Sequence, residues 1–543
     1  MLKPLGNWIT TTKPKVKANF SNILIVSFIY TLLFHLPILC HRFAILRQFS
    51  DTQYAANIAF IEITVAGLLT IILFALIRSV KILYTFFIPL FFILGGISNY
   101  YVWEFGKSFD IGVLQDILAV ELDLTQSYLS LKLVAFMIVS LGLGILLTRL
   151  KFKQFKSPIS KLCLLLLAIV IMAVLLVDYS KYNFYKSKTV LQTYMPFSVI
   201  YNVGMFIKDY NKSQQIKNNK FDIATQYKHS LTKSTDEPLL VIMVIGESMR
   251  GDMFGLNARS KYKNTPLLAK HKNLVSFAHA TASSTSTKIS LPFMLTRAKS
   301  NDWERAISES SIISVFKHLG FQTHWIGAQG AFGICDNSYA PIVMEADQAI
   351  IKSDIRRDSA EEYILDEHLL PYLDTALQTK QNTFIVLHMY GSHWRFEERY
   401  PAAFRKNIPV CNSKSPGDCS KEELINSYNN TILYSDWVLS EFINRFKHKK
   451  TIMFFASDHG LSLYENNNIF GNAYQGDNPP KEQLDIAMFA WASDKFIKTH
   501  QKNFNNLAAR QYDPVSHDHL FNSILGCIDI QSEVVDEELN LCR

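Results

Sequence analysis

The sequence predicts a two-part protein, with five membrane-spanning helices first and an α/β domain with a largely parallel sheet after them. Two observations predict it. Long apolar segments crowd into the first third of the chain, and beyond them short apolar strands alternate with helical patterns. The predicted boundaries are 1–178 for the membrane domain, 179–235 for a bridging segment and 236–543 for the α/β domain.

The membrane domain is predicted from five apolar segments, each close to the ~20 residues that cross a hydrocarbon core, with no charge in its middle. The first segment is too long for a secretory signal peptide and has no small-residue cleavage site. We therefore interpret all of them as spans. They are 22–40, 57–77, 82–100, 128–148 and 160–177.

The orientation of these spans follows from the charges of their loops. The chain start, 78–81 and 149–161 are basic, whereas the loop 101–126 is acidic. Because basic loops stay in the cytoplasm, the N-terminus is predicted to be cytoplasmic. An odd number of spans then places the α/β domain outside, and a bacterial inner membrane with the domain in the periplasm fits best. The basic residues are Lys3, Lys13, Lys15, Lys17, Arg78, Lys81, Arg149, Lys151, Lys153, Lys156 and Lys161.

The net charge of +8 is modest, and much of it lies in the predicted cytoplasmic loops and in 206–233. This distribution favours attraction to a membrane surface rather than nucleic-acid binding. The segment 179–235 mixes aromatic and basic residues, a pattern typical of the headgroup layer. We expect helices lying along the membrane there, with an ordinary linker as the alternative.

The cysteines agree with an oxidising compartment. Cys411 and Cys419 bracket a polar loop that suits a disulfide. Cys527 and Cys542 could pair near the C-terminus, which leaves Cys335 over. The alternative is that all five are unpaired. The sequence has no CxxC or Cys/His spacing that suggests a zinc finger.

The α/β domain opens with a continuous apolar run at 239–245, between Pro238 and Gly246. Such a run is typical of a central parallel strand that is covered on both faces. Alternation of strands with helices indicates a largely parallel sheet, in which functional groups gather at the carboxyl ends of strands. Further apolar runs are 384–387, 452–455 and 486–490, and helical patterns are 360–378 and 421–446.

Three of these runs end in residues that can carry chemistry. Glu247 follows the first, His388 and His393 follow the next, and Asp458 and His459 follow the third. A Glu, an Asp and a His at one sheet edge form a mixed oxygen and nitrogen ligand set that suits zinc. Singly, each residue has a simpler explanation as a helix cap or as polar surface.

The sequence GESMR at 246–250, followed by Asn257 and Asn264-Thr-Pro266, resembles the opening motif of the membrane phosphoethanolamine transferases. These proteins combine five spans with a periplasmic domain of the alkaline phosphatase/sulfatase superfamily, and they include enzymes that modify lipid A. The resemblance covers the whole outer domain. It continues through 283–287, 290–292, 387–401, 428–439, 456–466, 480–483, 516–526 and 542–543.

The resemblance implies a nucleophile and a metal site. The family nucleophile is a Thr that here corresponds to Thr287, forty residues after Glu247 and five before Pro292. Glu247, Thr287, Asp458 and His459 would hold the zinc, which would activate the Thr hydroxyl. Thr287 lies in a Ser/Thr-rich loop, and Thr285 is the next candidate for the nucleophile.

Three further histidines fall on family positions. His393 matches a residue near the substrate phosphate, where it would be a proton donor or a ligand of a second metal. His388 and His517 also match and are candidates for substrate binding, although packing at a strand end explains them nearly as well.

The chain departs from the family pattern around the substrate. Many relatives have a His about twelve residues after the residue that matches His459, and Gly471 stands there here. The polar group that often holds the headgroup is not evident in 327–333. Ser283 and Phe293 replace a Cys pair that commonly flanks the nucleophile. The departures concern substrate contacts and disulfides, so they leave the acceptor open.

The resemblance implies a two-step transfer. Thr287 would take phosphoethanolamine from phosphatidylethanolamine and pass it to lipid A, lipopolysaccharide core or another envelope glycan. Three alternatives remain at this point: a phosphoglycerol transferase, a membrane-bound phosphodiesterase of the same superfamily, and a catalytically silent scaffold.

Overall fold

A computed structural model of the chain divides it into two compact units, one of 1–103 with 131–201 and one of 104–130 with 202–543. The residues that the structure describes are 20–49, 52–78, 80–105, 131–149, 190–218, 220–231, 237–330, 338–359, 363–413, 416–465, 470–472 and 478–543.

The first unit is helical. Four of its described helical segments are long and apolar enough to cross a membrane, namely Asn22–Phe43, Ala55–Arg78, Ile82–Glu104 and Leu131–Arg149. They overlap the first four predicted spans. The fifth, at 160–177, lies outside the described residues, as do most of the loops that predict the orientation, so a count of five is not confirmed. The helices are α1 (Phe20–Tyr30), a π-helical turn (Thr31–His35), α2 (Leu36–Phe49), α3 (Thr52–Arg78), α4 (Lys81–Phe105), α5 (Leu131–Arg149) and α6 (Val190–Thr193).

A partly buried ion pair connects three parts of this unit. Arg42 donates from Nε and Nη2 to the two carboxylate oxygens of Glu62, at 3.1 and 2.9 Å. The Tyr194 hydroxyl donates to the same carboxylate at 2.8 Å. Because a charge in a membrane segment is costly unless it is paired, these bonds hold α2, α3 and the segment after α6 together.

The second unit contains a seven-stranded sheet of order β3-β11-β8-β2-β7-β5-β6. The pairs β8-β2, β2-β7, β7-β5 and β5-β6 are parallel, and β11 runs antiparallel to both of its neighbours. The sheet strands are β2 (Leu239–Gly246), β3 (Leu274–Ser276), β5 (Gln322–Gly327), β6 (Gln348–Ile350), β7 (Thr383–His388), β8 (Lys450–Ser457) and β11 (Met488–Ala492).

Short strands pair outside this sheet, as β1 with β13, β4 with β12 and β9 with β10. They are β1 (His229–Leu231), β4 (His279–Thr281), β9 (Ser462–Leu463), β10 (Phe470–Gly471), β12 (Pro514–Ser516) and β13 (Ile530–Ser532).

Helices connect these strands. Those with α-helical geometry are α7 (Phe197–Asn218), α8 (Ile223–Gln226), α9 (Thr287–Leu295), α10 (Trp303–Ser308), α11 (Ile312–His318), α12 (Ala340–Val343), α13 (Lys352–Ser359), α14 (Leu370–Ala376), α15 (Lys421–Phe446), α16 (Lys481–Leu484), α17 (Asp494–Ala509) and α18 (Asp518–Gly526). Single 3-10 turns are Leu268–Lys270, Asp366–Leu369, Phe396–Glu398, Ala402–Phe404, Pro416–Asp418 and Glu537–Leu539.

The predicted strands and helices are largely present. Strands β2 and β8 are buried at every position, as their uninterrupted apolar sequences indicate. Helix α15 has the bounds predicted for 421–446, and Ser420 and Glu423 form a capping box at its start. The pattern at 360–378 instead gives a 3-10 turn followed by the short helix α14. The run predicted at 486–490 is β11, which begins two residues later.

Two disulfides close loops in the second unit. Cys411 and Cys419 are bonded, with their Cα atoms 5.5 Å apart, and Cys527 is bonded to Cys542 at 5.1 Å. The first pair is the one that the sequence predicts, and the alternative of unpaired thiols is wrong for these four residues. Cys335 lies outside the described residues.

Loss of the first bridge should weaken the fold without abolishing it. Replacing both Cys411 and Cys419 by Ser should lower the free energy of unfolding by about 2–4 kcal/mol, because the loop it closes in the unfolded chain is short. Chemical denaturation of the variant, with the Cys527 and Cys542 pair left intact as an internal control, measures this. Peptide mapping of the oxidised wild type that finds Cys411 and Cys419 as free thiols would contradict the bridge.

Candidate active site

The register of two central strands brings the candidate ligands together. Gly246 at the end of β2 pairs with Ser457 at the end of β8. The next residues, Glu247 and Asp458, therefore leave the sheet side by side, and the Asp458 amide donates to the Gly246 carbonyl at 3.0 Å. The parallel pairing places both carboxylates at one edge of the sheet, as the sequence predicts.

Glu247, Asp458 and His459 form a buried cluster whose potential ligand atoms all lie within 4.8 Å of one another. His459 Nε2 is 3.5 Å from Glu247 Oε1 and 3.2 Å from Asp458 Oδ2. The Thr287 hydroxyl donates to Glu247 Oε2 at 3.1 Å and lies 3.2 Å from His459 Nε2. All four residues that the sequence assigns to the metal and the nucleophile therefore meet at one point.

Thr287 is the first residue of helix α9, and Pro292 lies inside the same helix. The amides in the first turn of an α-helix have no acceptor within the helix, and the helix dipole adds partial positive charge there. An anionic phosphoryl group beside the Thr287 hydroxyl would therefore meet favourable backbone groups.

The residue after Glu247 adopts a backbone conformation that few side chains accept. Ser248 has φ of 58°, in the left-handed region. Its amide donates to Asp458 Oδ1 at 3.1 Å and its hydroxyl to Glu247 Oε1 at 2.6 Å. Tyr428 on α15 donates to the Ser248 carbonyl at 2.6 Å. Strain of about 1–3 kcal/mol at such a residue persists only when its surroundings fix it, and here these bonds do so.

The two carboxylates resist ionisation where they lie. Burial raises the pKa of Asp458 to about 6. Burial also raises the pKa of Glu247, and the neighbouring Asp458 raises it further. Two adjacent buried anions repel each other, and a cation between them would remove that repulsion.

The donor set fits a zinc ion. Asp458 Oδ2 is buried and meets no hydrogen-bond donor among the described residues. His459 Nδ1 lies 2.8 Å from the Gly460 carbonyl, so an N–H there would leave the Nε2 lone pair facing the carboxylates. Two carboxylates, an imidazole nitrogen and the Thr287 hydroxyl supply the oxygen and nitrogen atoms that zinc prefers.

Asn472 also lies at this cluster, and the sequence does not single it out. Its side-chain amide nitrogen is 2.8 Å from His459 Nε2. The family spacing leads to Gly471, which has no side chain, and the next residue reaches the site instead. Its position one residue beyond the expected histidine is the only signal of it in the sequence.

His393 and His388 have different surroundings. His393 is partly exposed, its ring packs 5.4 Å from that of Tyr390, and its charge is near enough to oppose protonation of Glu247. His388 is buried at the end of β7, with its ring against those of Trp325 and Tyr339 at 5.7 and 6.1 Å. The first is partly open to solvent, whereas the second is buried against two aromatic rings.

His517 links the loop before Thr287 to the end of β8. Its Nδ1 accepts from the Ser283 amide at 3.1 Å, and its Nε2 lies 2.9 Å from the Ser457 carbonyl. Burial lowers the pKa of His517 to about 4, so the ring is neutral and the Nε2 proton goes to that carbonyl. Because protein groups occupy both ring nitrogens, this arrangement favours a positioning role over the substrate contact predicted from the sequence.

Comparison with known proteins agrees with this geometry. Residues 240–530 match the sulfatase family model, and residues 66–210 match the model for the phosphoethanolamine transferases EptA and EptB. The chain is 26% identical over 475 residues to the Kdo(2)-lipid A phosphoethanolamine 7''-transferase of Escherichia coli K12, which covers 82% of this chain and 83% of that protein.

Two solved structures share the fold. The integral membrane lipooligosaccharide phosphoethanolamine transferase A of Neisseria meningitidis matches with a TM-score of 0.80 and 23% identity, over 96% of this chain and 98% of that one. The C-terminal periplasmic domain of EptC from Escherichia coli, solved in complex with Zn, matches with a TM-score of 0.51 and 22% identity, over 58% of this chain and 89% of that one. Since the sulfatase model alone spans more than half of the sequence, the chain belongs to the sulfatase family, among its membrane phosphoethanolamine transferases.

Proposed function

We propose that this protein transfers phosphoethanolamine from phosphatidylethanolamine to lipid A or another lipopolysaccharide acceptor, with Thr287 as the nucleophile. The observation that carries this proposal is the position of the Thr287 hydroxyl, 3.1 Å from Glu247 Oε2 and 3.2 Å from His459 Nε2 at the start of a helix. The name of the Escherichia coli relative supports lipid A as the acceptor.

In the first step, Thr287 Oγ attacks the phosphorus of the donor lipid. A bond forms between Oγ and phosphorus, and the bond from phosphorus to the glycerol oxygen breaks. The Thr287 proton has an acceptor in Glu247 Oε2, to which the hydroxyl already donates. Diacylglycerol leaves with a proton that His393 supplies, since this partly exposed ring lies beside the cluster.

In the second step, a phosphate or hydroxyl oxygen of the acceptor attacks the phosphoethanolamine on Thr287. The new bond to phosphorus forms as the bond to Oγ breaks, and Glu247 returns its proton to Thr287 Oγ. A hydroxyl acceptor gives its own proton to His393, which lost one in the first step. Transfer to water instead of the acceptor would make the protein a phosphodiesterase. The use of a phosphoglycerol lipid as the donor would make it a phosphoglycerol transferase, so product analysis separates all three activities.

The metal site serves both steps in this proposal. Glu247, Thr287, Asp458 and His459 would hold a zinc ion, which when bound lowers the pKa of the attacking hydroxyl and neutralises charge on the phosphoryl group. The buried, adjacent carboxylates support this proposal, and a Zn complex of the EptC periplasmic domain agrees with it.

In this proposal the membrane spans attach the chain to the bilayer that holds the donor lipid. We propose a fifth span at 160–177, a cytoplasmic N-terminus, a bridging segment at 179–235 and a periplasmic catalytic domain from 236 on. Donor and acceptor would then both be lipids of the envelope, and anchoring raises their local concentration at the site.

Thr287→Ala should abolish transfer, because no hydroxyl remains to form the covalent intermediate, while the protein stays folded. Thr287→Ser should keep part of the activity, since it loses only a methyl group. Intact-mass analysis after incubation with phosphatidylethanolamine should show a phosphoethanolamine adduct on the wild type and none on Thr287→Ala.

Thr285→Ala is the matched control, two residues earlier in the same loop. It should keep the adduct on Thr287. Near wild-type transfer by Thr287→Ala, together with loss in Thr285→Ala, would move the nucleophile to Thr285.

Glu247→Gln and Asp458→Asn should each weaken zinc binding by ~10–100-fold or more. Loss of a residue that only hydrogen-bonds to a metal ligand already costs that much, and these two residues are candidate ligands themselves. Each substitution removes one of the two charges that face the ion. Elemental analysis after dialysis against graded chelator measures this. Asp436→Asn is the control, because Asp436 is a buried carboxylate that accepts from the Leu267 and Leu268 amides instead. Unchanged zinc content in both ligand variants would exclude this metal site.

The orientation predicts opposite results for two C-terminal fusions. An alkaline phosphatase fused to the C-terminus should be active, because that enzyme matures in the periplasm, and a green fluorescent protein should be dark there. Fusions to a chain shortened to end at 150 should give the reverse result, since four spans return the chain to the cytoplasm. A fluorescent full-length fusion would contradict the five-span topology.

A further inference from the structure

We propose that Gln329 is a positioning residue that fixes the Glu247 carboxylate for the Thr287 hydroxyl. This inference rests on the proposed function. It adds a residue that belongs neither to the candidate metal ligands nor to the loop before Thr287.

Gln329 lies two residues beyond β5 and is 8% exposed. Its Nε2 donates to Glu247 Oε2 at 3.0 Å and to the Met389 carbonyl at 2.9 Å. Both amide protons therefore have acceptors, and one of these is an oxygen atom of a candidate metal ligand.

The backbone around Gln329 is held independently of its side chain. The Ala328 amide donates to the His388 carbonyl at 2.8 Å, and the Lys352 amide donates to the Gln329 carbonyl at 3.3 Å. Backbone hydrogen bonds on both sides thus fix the position of Gln329. The two hydrogen bonds of its side chain are therefore not needed to anchor Gln329, and they act on Glu247 and Met389.

The sheet order explains how one side chain reaches so far. β7 lies between β5 and β2, and the Met389 amide donates to the Ile245 carbonyl of β2 at 2.9 Å. The Gln329 side chain extends from the end of β5 past the end of β7 to the residue that follows β2. One amide therefore connects three neighbouring strand ends.

The consequence concerns the orientation of the carboxylate. The terminal torsion of a Glu side chain is broad, so a carboxylate needs donors on both oxygens to fix its plane. Ser248 donates to Oε1, whereas Gln329 donates to Oε2, the same oxygen that accepts from Thr287. Without Gln329, only the nucleophile itself would hold Oε2 among these donors. A misplacement of about 1 Å in a catalytic group can cost ~100-fold in rate.

A neutral amide suits this position better than a cation would. Lys or Arg would also donate to Oε2, but either would add positive charge beside the metal ligands and compete with the ion. The amide orients the carboxylate and leaves its charge for the metal.

The test uses the full chain in phosphatidylethanolamine nanodiscs. Gln329→Met has nearly the same length and shape and removes both donated bonds. Its kcat for phosphoethanolamine transfer should fall ~10–100-fold with KM for the donor lipid unchanged, and its zinc affinity, measured without substrate, should fall by a similar factor. Gln329→Asn keeps the amide on a shorter side chain, so it should lie between Gln329→Met and the wild type in both quantities.

Gln322→Met is the matched control, at the other end of β5, and it should match the wild type in kcat, KM and zinc affinity. Wild-type kcat and zinc affinity in Gln329→Met would overturn the proposal, as would a loss confined to KM or an equal loss in the control. If Gln329→Met does not fold, Gln329→Asn decides by the same criteria. Absence of any adduct on wild-type Thr287 would count against the proposed function instead, and the zinc affinities would still test Gln329.

Discussion

The parallel pairing of β2 with β8 is the constraint on which the site depends. It forces Glu247 and Asp458 to leave the sheet as neighbours, both fully buried. Burial of two adjacent carboxylates costs several kcal/mol unless a cation or hydrogen bonds compensate it. The remaining contacts of the site supply part of that compensation, and a metal ion would supply the rest. Binding of an ion at this edge of the sheet would therefore stabilise the folded state.

Close approach of the neighbouring loops follows from the same constraint. Gly391 has φ of +51°, and a Cβ there would lie 2.8 Å from the Glu247 carbonyl oxygen. Only glycine lets the chain after β7 fold back against Glu247. That fold brings His393 to the cluster, and the Ser392 amide donates to the Glu247 carbonyl at 2.9 Å. The strained Ser248 and the tightly packed Gly391 thus hold Glu247 from its two sides.

The sequence predicts those parts of the fold in which a run of apolar residues indicates a buried strand. Strands β2, β7 and β8 are covered on both faces, so their apolar runs identify them. An apolar run does not encode direction, and the antiparallel course of β11 could not be predicted. Strands β3 and β6 have three residues each and show no period.

The same distinction applies to the site. Glu247, Asp458 and His459 stand directly after apolar runs that identify strands, and Thr287 is assigned by the resemblance to the family. The contributions of Ser248, Gln329 and Asn472 could not be predicted in this way. Ser248 contributes through its left-handed backbone, which tertiary packing imposes. Gln329 contacts Glu247 and Asn472 contacts His459, and these contacts also exist only in the folded chain.

The hydrogen-bond donors around Glu247 are compatible with a cation at this site. The hydroxyls of Ser248 and Thr287 and the amide of Gln329 donate to Glu247, and all three groups are neutral. His517 contacts the loop before Thr287 at Ser283, and burial, which lowers its pKa, keeps it neutral. Neutral donors fix geometry and leave the negative charge of the carboxylates in place. A lysine or arginine would have stabilised the same carboxylates and lowered their affinity for a metal. These uncharged donors add no positive charge at this edge of the sheet, so they leave the carboxylates available to a cation.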